Sequence, residues 1–440
     1  MKNDARLHES DFAAWFREIV QHSVDKPARS RRVAIAPHPA TFPPVNSGSP
    51  SRPHLTAALL ALLIASVPVV CGLVWAQRLE RRHVHDLIAD FSDPKLHGVA
   101  LQKQAFAQDD LLVLYGSSEL VKQVPNTAGE FFEDYPTGFR VFPVGKQGTT
   151  ALAVLQKLAA VGSDLRGRKV AISLSPSSYF AEEVDPGYYA GNFSALQATE
   201  LALSTELSRS LKAASARRML EYPKTYEDNW LLERVLRCLA GDTLGDRFLT
   251  ATLFPLAQLQ RGIGRVQDHF ETAGHIAELR SEPARTKRPR VLNWQQIFKR
   301  AEVIAKVMKA KARKVPAVAK RPKGSRDKLF LQNLARADEW TDFELVLRTL
   351  DELGARPLIL SMPVHASDLE ALGVSKEARS AYEERLRALT AEHGAPLVYF
   401  KANEDDPDFF FDNLDHLGAK GWIFYNKMLD DFFHGRLTNL

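Results

Sequence analysis

Two short segments, close to the two ends of the chain, carry residue types that could form a nucleophile and its base. Residues 111–120 (LLVLYGSSEL) place two serines directly after a short apolar run, and residues 412–418 (DNLDHLG) place a histidine beside carboxylates and an amide. A serine hydroxyl is a weak nucleophile until a positioned base takes its proton and a third group orients that base. Together the segments predict an acyl-transfer enzyme.

Each segment alone is a weak signal. Serines commonly cap helices, and the chain contains 13 histidines. Two features favour a catalytic role: the serine pair follows a predicted buried strand, and His416 precedes Gly418 and Gly421, which are typical of a tight loop that runs into a helix.

The bulk composition fits an ordinary globular protein. Of 440 residues, 45% are apolar and 25% are charged, so we expect a sizeable core in one α/β domain with insertions or in two to three domains. The two cysteines, Cys71 and Cys238, exclude a disulfide framework.

An apolar run predicts a membrane anchor. Residues 55–76 contain no charged side chain over 22 positions, which is enough to span a bilayer. A cleaved signal peptide and a buried core helix are the alternatives. Residues 1–54 are expected to be a largely disordered extension and residues 77–108 a juxtamembrane connector. Charges close to the run weakly favour a cytoplasmic C-terminus, although long translocated domains often disregard such a bias.

The remainder, residues 109–440, alternates between strand and helix patterns. Alternation of this kind predicts a mainly parallel sheet, in which reactive groups collect beyond the carboxyl ends of the strands. Strands are predicted at 111–115, 139–144, 170–174, 357–362 and 396–400, and helices at 149–161, 341–353, 375–393 and 421–433.

Residues 197–328 are predicted to form a mostly helical insertion with a basic second half. From residue 285 to 328 there are 16 Lys or Arg residues and only two acids, Glu302 and Asp327. This segment is either a solvated basic face or a surface for anionic lipid headgroups or an anionic envelope polymer. No pattern in it supports nucleic-acid binding.

Five motifs occur in an order that resembles the DltD family over roughly residues 55–435: GSSEL (116–120), FPVGKQG (142–148), ISLSP (172–176), NFSALQ (192–197) and HLGAKGW (416–422). The resemblance implies a three-layer α/β/α sandwich of the SGNH-hydrolase-like type, anchored in the cytoplasmic (inner) membrane by an N-terminal transmembrane helix. It also implies that this domain lies outside the cytoplasm and serves D-alanylation in lipoteichoic acid biosynthesis.

The same resemblance implies a Ser-His-Asp triad. Ser118 matches the nucleophile. Ser117, which takes the position where the wider SGNH group has aspartate, is the alternative for that member of the triad. Gly145 matches an oxyanion-hole glycine, and His416 matches the base. The usual Asp-x-x-His spacing places Asn413 where aspartate is expected, so Asp412 is favoured as the third member, with Asp415 and Asn413 as alternatives.

Other residues rank lower. His365 could line the pocket or be structural, Asn192 could brace the backbone, and residues 409–411 (FFF) are expected in packing. Neither a phosphate loop, a dinucleotide fingerprint nor metal-ligand spacing occurs, so no cofactor and no metal are expected.

The leading functional hypothesis is therefore an acyltransferase that moves D-alanyl groups to an anionic envelope polymer or glycolipid. Its expected partners, by resemblance, are a membrane O-acyltransferase and a D-alanyl carrier system. The alternatives are a thioesterase or esterase acting on acyl carriers, and a non-catalytic partner of the membrane O-acyltransferase.

Overall fold

The computed structural model describes residues 52–88, 98–241, 243–278, 288–311, 320–411 and 416–437. Contacts divide the chain into a first unit that ends at Val69 and a second unit that begins at Val70. The expected N-terminal extension, apart from its last three residues, lies outside the described residues.

The second unit contains a five-stranded sheet in which every strand pairs in parallel, in the order β2-β1-β3-β4-β5. Each strand is an apolar run that is buried on both faces, as parallel sheets covered by helices require. The strands are β1 (Leu111–Tyr115), β2 (Arg140–Val144), β3 (Lys169–Leu174), β4 (Arg356–Ser361) and β5 (Leu397–Tyr399). The predicted strands agree with these bounds to within one residue.

Fifteen α-helices are described. They are α1 (Arg52–His83), α2 (Val99–Phe106), α3 (Ala128–Asp134), α4 (Ala151–Val161), α5 (Pro186–Asn192), α6 (Ala195–Leu203), α7 (Arg209–Leu220), α8 (Trp230–Gly241), α9 (Leu244–Glu278), α10 (Trp294–Lys311), α11 (Asp327–Arg336), α12 (Asp338–Leu353), α13 (Ala366–Ala371), α14 (Lys376–Glu392) and α15 (Ala419–Phe433).

Helices cover both faces of the sheet. On one face, Leu112 and Leu360 share a core cluster with Phe131 of α3, Ala301 of α10 and Trp422 of α15. Side chains alternate between the faces along a strand. On the opposite face Ile172 of β3 lines one cavity with Val154 of α4 and Phe343 of α12, and these two helices contact each other. The predicted three-layer sandwich is confirmed, and so is the helical insertion, since α5 to α12 all lie between β3 and β4.

Helix α1 is long and apolar enough to cross a membrane. Its large apolar side chains are exposed, including Leu62 at 67% and Ile64 at 62%. This exposure is the opposite of what a core helix shows, and it leaves the two membrane-related interpretations of the run. Pro68 lies within the helix without ending it.

Lys157 is a charged residue in the most buried helix of the sandwich. All 11 residues of α4 are buried, and Lys157 is only 4% exposed. Burial, with a smaller contribution from Lys146, lowers the pKa of Lys157 from 10.5 to about 8. This shift corresponds to about 3 kcal/mol of destabilisation at pH 7.

Replacing Lys157 with methionine should therefore raise the free energy of unfolding by about 3 kcal/mol at pH 7. The difference from the wild type should shrink between pH 8 and 10.5, because there the unfolded chain binds a proton that the native protein has lost. Denaturant unfolding at several pH values measures both effects. The exposed Lys224 provides the control: Lys224→Met should change neither the free energy of unfolding nor its pH dependence. A gain in stability equal to that of Lys157→Met would contradict burial of the lysine as the cause.

Candidate active site

The candidate nucleophile turn, which carries Ser117 and Ser118, lies directly after the buried strand β1. The chain leaves Tyr115 through Gly116 and Ser117 and enters a short 3-10 turn, Ser118–Leu120. Strand order reverses at β1, because β2 lies on one side of it and β3 on the other. Ligands of open α/β sheets bind beyond the carboxyl ends of the strands at such a switch point. The fold thus places both serines where a substrate would enter.

The Ser118 hydroxyl and the His416 imidazole are in hydrogen-bond contact, although 298 residues separate them in sequence. The distance from Ser118 Oγ to His416 Nε2 is 2.7 Å. In the tautomer with Nε2 unprotonated, the hydroxyl donates to the ring, as deprotonation by a general base requires. Ser117 instead contributes its backbone N–H to the site, which donates to Glu119 Oε1 at 3.0 Å.

Backbone hydrogen bonds on both sides of His416 hold it in place. The Phe411 N–H donates to the His416 carbonyl at 2.8 Å, and the Gly418 N–H donates to the Phe409 carbonyl at 2.8 Å. A Cβ on Gly418 would lie 2.8 Å from the carbonyl oxygen of Phe410, and one on Gly421 2.5 Å from that of Phe409. Both glycines are therefore needed, because the backbone of Phe409 and Phe410 lies too close to Gly418 and Gly421 for a side chain at either position.

The predicted third members of the triad, Asp412, Asn413 and Asp415, lie outside the described residues. Which of them orients His416 remains a prediction.

Gly145 lies at the end of β2, immediately beside Gly116 at the end of β1. The register pairs Tyr115 with Val144, and the Gly116 N–H donates to the Val144 carbonyl at 3.2 Å. A Cβ on Gly145 would come within 2.1 Å of the Gly116 carbonyl oxygen. The residue matched to the oxyanion hole is thus packed against the nucleophile turn.

Asn192 braces the loop that follows Gly145. Its Nδ2 donates to the carbonyls of Gln147 at 3.2 Å and Tyr188 at 2.9 Å, and its Oδ1 lies 2.9 Å from Thr149 Oγ1. The Lys146 N–H in turn donates to Thr149 Oγ1 at 3.1 Å. Asn192 thus braces the backbone of this loop, as predicted.

Sequence reasoning overlooked Glu119 as a residue of the site. Its side chain is 1% exposed. A Cβ added to Gly116 would lie only 2.3 Å from Glu119 Oε1, so the carboxyl group packs directly against the turn. Burial raises the pKa of Glu119, and this rise is opposed by the Ser117 N–H and by the charge of His416. A carboxyl one residue after the nucleophile was the available signal, but it resembles an ordinary acid in the first turn of a helix.

The lower-ranked residues lie around the loop that carries His416. His365 Nδ1 is hydrogen-bonded to Asp368 Oδ2 at 2.7 Å. The His365 ring lies 4.6 Å from the Phe410 ring, centroid to centroid. Phe409 and Phe410 are buried and belong to the core, whereas Phe411 is 43% exposed. The structure thus gives His365 a packing contact with Phe410.

The described part of the basic segment belongs to the sandwich. Helix α10 buries Ile297, Ala301 and Ala305, one turn apart, and contacts α15. Lys420, four residues after His416, lies 3.7 Å from Glu302 of α10. Among the residues that the structure describes, no group of three or more His, Cys, Asp or Glu side chains could hold a metal ion.

Comparison with known proteins supports one family. The family model described as DltD protein matches residues 88–434. A protein of Bacillus subtilis strain 168 named Protein DltD is 26% identical over 359 residues, covering 78% of this chain and 87% of the relative.

Two further relatives have the same name. The Staphylococcus aureus protein is 21% identical over 390 residues, covering 86% of this chain and 94% of the relative. The Lacticaseibacillus rhamnosus protein is 20% identical over 391 residues, covering 86% of this chain and 89% of the relative.

Proposed function

The chain belongs to the DltD family, and we propose that it is a membrane-anchored acyltransferase that moves D-alanyl groups through a serine ester. The family is involved in D-alanylation of teichoic acids, a transferase-type activity. The 2.7 Å contact between Ser118 Oγ and His416 Nε2 at the carboxyl edge of the sheet carries the proposal. A serine bonded to an imidazole at a ligand-binding edge is the arrangement that acyl transfer needs.

In the first half of the reaction, Ser118 takes the acyl group from its donor. Oγ attacks the carbonyl carbon of the donor ester or thioester while His416 Nε2 accepts the hydroxyl proton. The carbonyl oxygen becomes an oxyanion, and the backbone N–H groups of Ser118 and Gly145 donate to it. When the bond to the leaving group breaks, His416 returns the proton to that group, and the acyl group stays on Ser118 as an ester.

In the second half, a hydroxyl of the acceptor replaces the donor. His416 takes the proton of that hydroxyl, the oxygen attacks the ester carbonyl, and Ser118 leaves with the proton. The acceptor is an anionic envelope polymer or glycolipid, and each ester adds an amine that offsets phosphate charge. The basic helix α10 supports this choice, because it packs against α15, the helix that begins three residues after His416.

Helix α1 would anchor the protein in the cytoplasmic membrane as a single span, with the catalytic domain outside the cytoplasm. Its partners would be a membrane O-acyltransferase and a D-alanyl carrier system, as the family resemblance implies. Protease added to spheroplasts should therefore cut the catalytic domain. If the domain were fully protected, its placement outside the cytoplasm would be contradicted.

Transfer and hydrolysis differ in the fate of the acyl group, and the proposal predicts transfer. Purified full-length protein in nanodiscs should move D-alanine from a thioester donor to a glycerol phosphate oligomer, with free D-alanine as the minor product. An uncharged glycerol oligomer is the control and should accept less. Release of free D-alanine alone, at saturating acceptor, would identify a thioesterase instead.

A further inference from the structure

A small cavity with a few polar groups in its lining lies beside the nucleophile turn. Gly116 and Ser117 form one wall, the end of β3 forms another, and α12 closes the far side. The cavity is about 20 Å³, which is room for one group of the size of water or ammonium. It lies at the carboxyl ends of β1 and β3, and Gly116 and Ser117 of its lining directly precede Ser118 in the chain.

Two buried polar atoms in the lining of this cavity have no hydrogen-bond partner among the described residues: the Tyr179 hydroxyl and Glu339 Oε2. A third, the Ser173 hydroxyl, is hydrogen-bonded to the Glu119 carboxyl group and keeps lone pairs that can accept a further bond. Tyr179, Glu339 and Ser173 are 1%, 5% and 5% exposed. Leaving one such group unpaired costs about 1–3 kcal/mol, and few buried polar groups are left so in native proteins. Two in one small cavity, beside a hydroxyl that can accept a further bond, indicate a ligand that supplies the missing bonds.

The surroundings of Glu339 favour a cation as that ligand. Its Oε1 accepts the Ala151 N–H at 2.8 Å, which fixes the carboxyl group against the start of α4. The nearby Arg218 already donates a hydrogen bond from Nε to Asp342 Oδ1 at 2.8 Å. Burial, followed by the charge of Asp342, raises the pKa of Glu339 to about 8. A carboxyl group with this pKa is mostly protonated at pH 7, and an entering cation would favour its ionised form.

The number of acceptors selects the kind of cation. A primary ammonium has three N–H donors, and the cavity offers three oxygens that can accept them. Tyr179 is held in place because its ring packs at 4.3 Å on Trp340 and at 5.4 Å on Tyr382, centroid to centroid. In an α-aminoacyl ester the ammonium nitrogen is two bonds from the carbonyl carbon, so its site must lie close to the nucleophile.

We propose that this cavity binds the primary ammonium of an α-aminoacyl group while Ser118 attacks its carbonyl carbon. This inference rests on the proposed function of Ser118, and it makes Glu339 a specificity-determining residue. The enzyme should accordingly prefer alanyl donors to acyl donors of the same size without an amine.

The contribution of the ammonium group can be isolated with two thioesters of N-acetylcysteamine. The D-alanyl and propionyl thioesters differ only in that group. Glu339→Gln keeps an acceptor for the Ala151 N–H and removes the charge. In the full-length protein it should lower kcat/KM for the D-alanyl thioester about 10- to 100-fold and leave the propionyl value unchanged, since hydrogen bonds to charged groups contribute about 1.5–3 kcal/mol. Tyr179→Phe should cause a smaller loss of the same selectivity.

An equal loss for both thioesters, or no loss for either, would overturn the inference and leave Glu339 as a cap of α4. Calorimetry on Ser118→Ala protein tests binding without turnover. D-alanine methyl ester should bind, methyl propionate should not, and adding Glu339→Gln should abolish the binding. If wild-type protein turns over neither thioester while this binding pattern holds, the proposed function fails and the cavity assignment stands. Absent binding of the amino ester contradicts the cavity assignment.

Discussion

Replacing Ser118 with alanine should reduce D-alanyl transfer by at least about 10³-fold, because no other hydroxyl would be positioned to form the ester. Ser118 Oγ is the atom that lies 2.7 Å from His416 Nε2. The side chain is small and partly exposed, so the thermal unfolding of the variant should match that of the wild type. Transfer from a D-alanyl thioester to a glycerol phosphate oligomer is the measurement.

Ser163 offers the matched control. It is exposed, and it follows the C-terminal end of α4, at the opposite end of the sheet from the active site. Ser163→Ala should keep wild-type activity. If Ser118→Ala keeps it too, the protein is a non-catalytic partner of another acyltransferase.

Replacing Gly145 with alanine should reduce activity by about 10²-fold and stability by about 2 kcal/mol. The new Cβ would lie 2.1 Å from the carbonyl oxygen and 2.6 Å from the carbonyl carbon of Gly116. Both contacts are to backbone, so no rotamer change can relieve them, and the ends of β1 and β2 must separate. That separation would move the Gly145 N–H away from the oxyanion position.

A glycine in open space is the control for Gly145. A Cβ on Gly262, inside α9, meets nothing within 4 Å. Gly262→Ala should leave activity unchanged and raise stability by up to about 1 kcal/mol, because alanine favours the helix. Wild-type activity in Gly145→Ala would exclude Gly145 from the oxyanion hole.

The strands were predictable because a parallel sheet is buried on both faces, so each strand is a short apolar run bounded by polar residues. Helix starts were less predictable. Helix α12 begins at Asp338 rather than at Thr341. Its first turn is polar, and Glu339 is buried there because it caps α4 and lines the cavity. Sequence periodicity does not show such a long-range contact.

The motif resemblance predicted that Ser118, Gly145 and His416 share a site, since motif order carries information that no single motif has. The fold brings Ser118 into contact with His416 and places Gly145 against Gly116. Glu119 and Glu339 were missed for a common physical reason. The importance of both carboxyl groups comes from burial beside groups that are distant in sequence, such as Ala151, which lies 188 residues before Glu339. Only the fold brings these groups together.

Intact-protein mass spectrometry after brief mixing with a D-alanyl thioester, in the absence of acceptor, tests most directly whether Ser118 carries the acyl group. The account predicts a covalent adduct with the mass of one alanyl group, located on the peptide that contains Ser118 and discharged when a glycerol phosphate oligomer is added. Ser118→Ala protein should show no adduct. An adduct on another residue, or transfer by Ser118→Ala protein at the wild-type rate, would contradict the account.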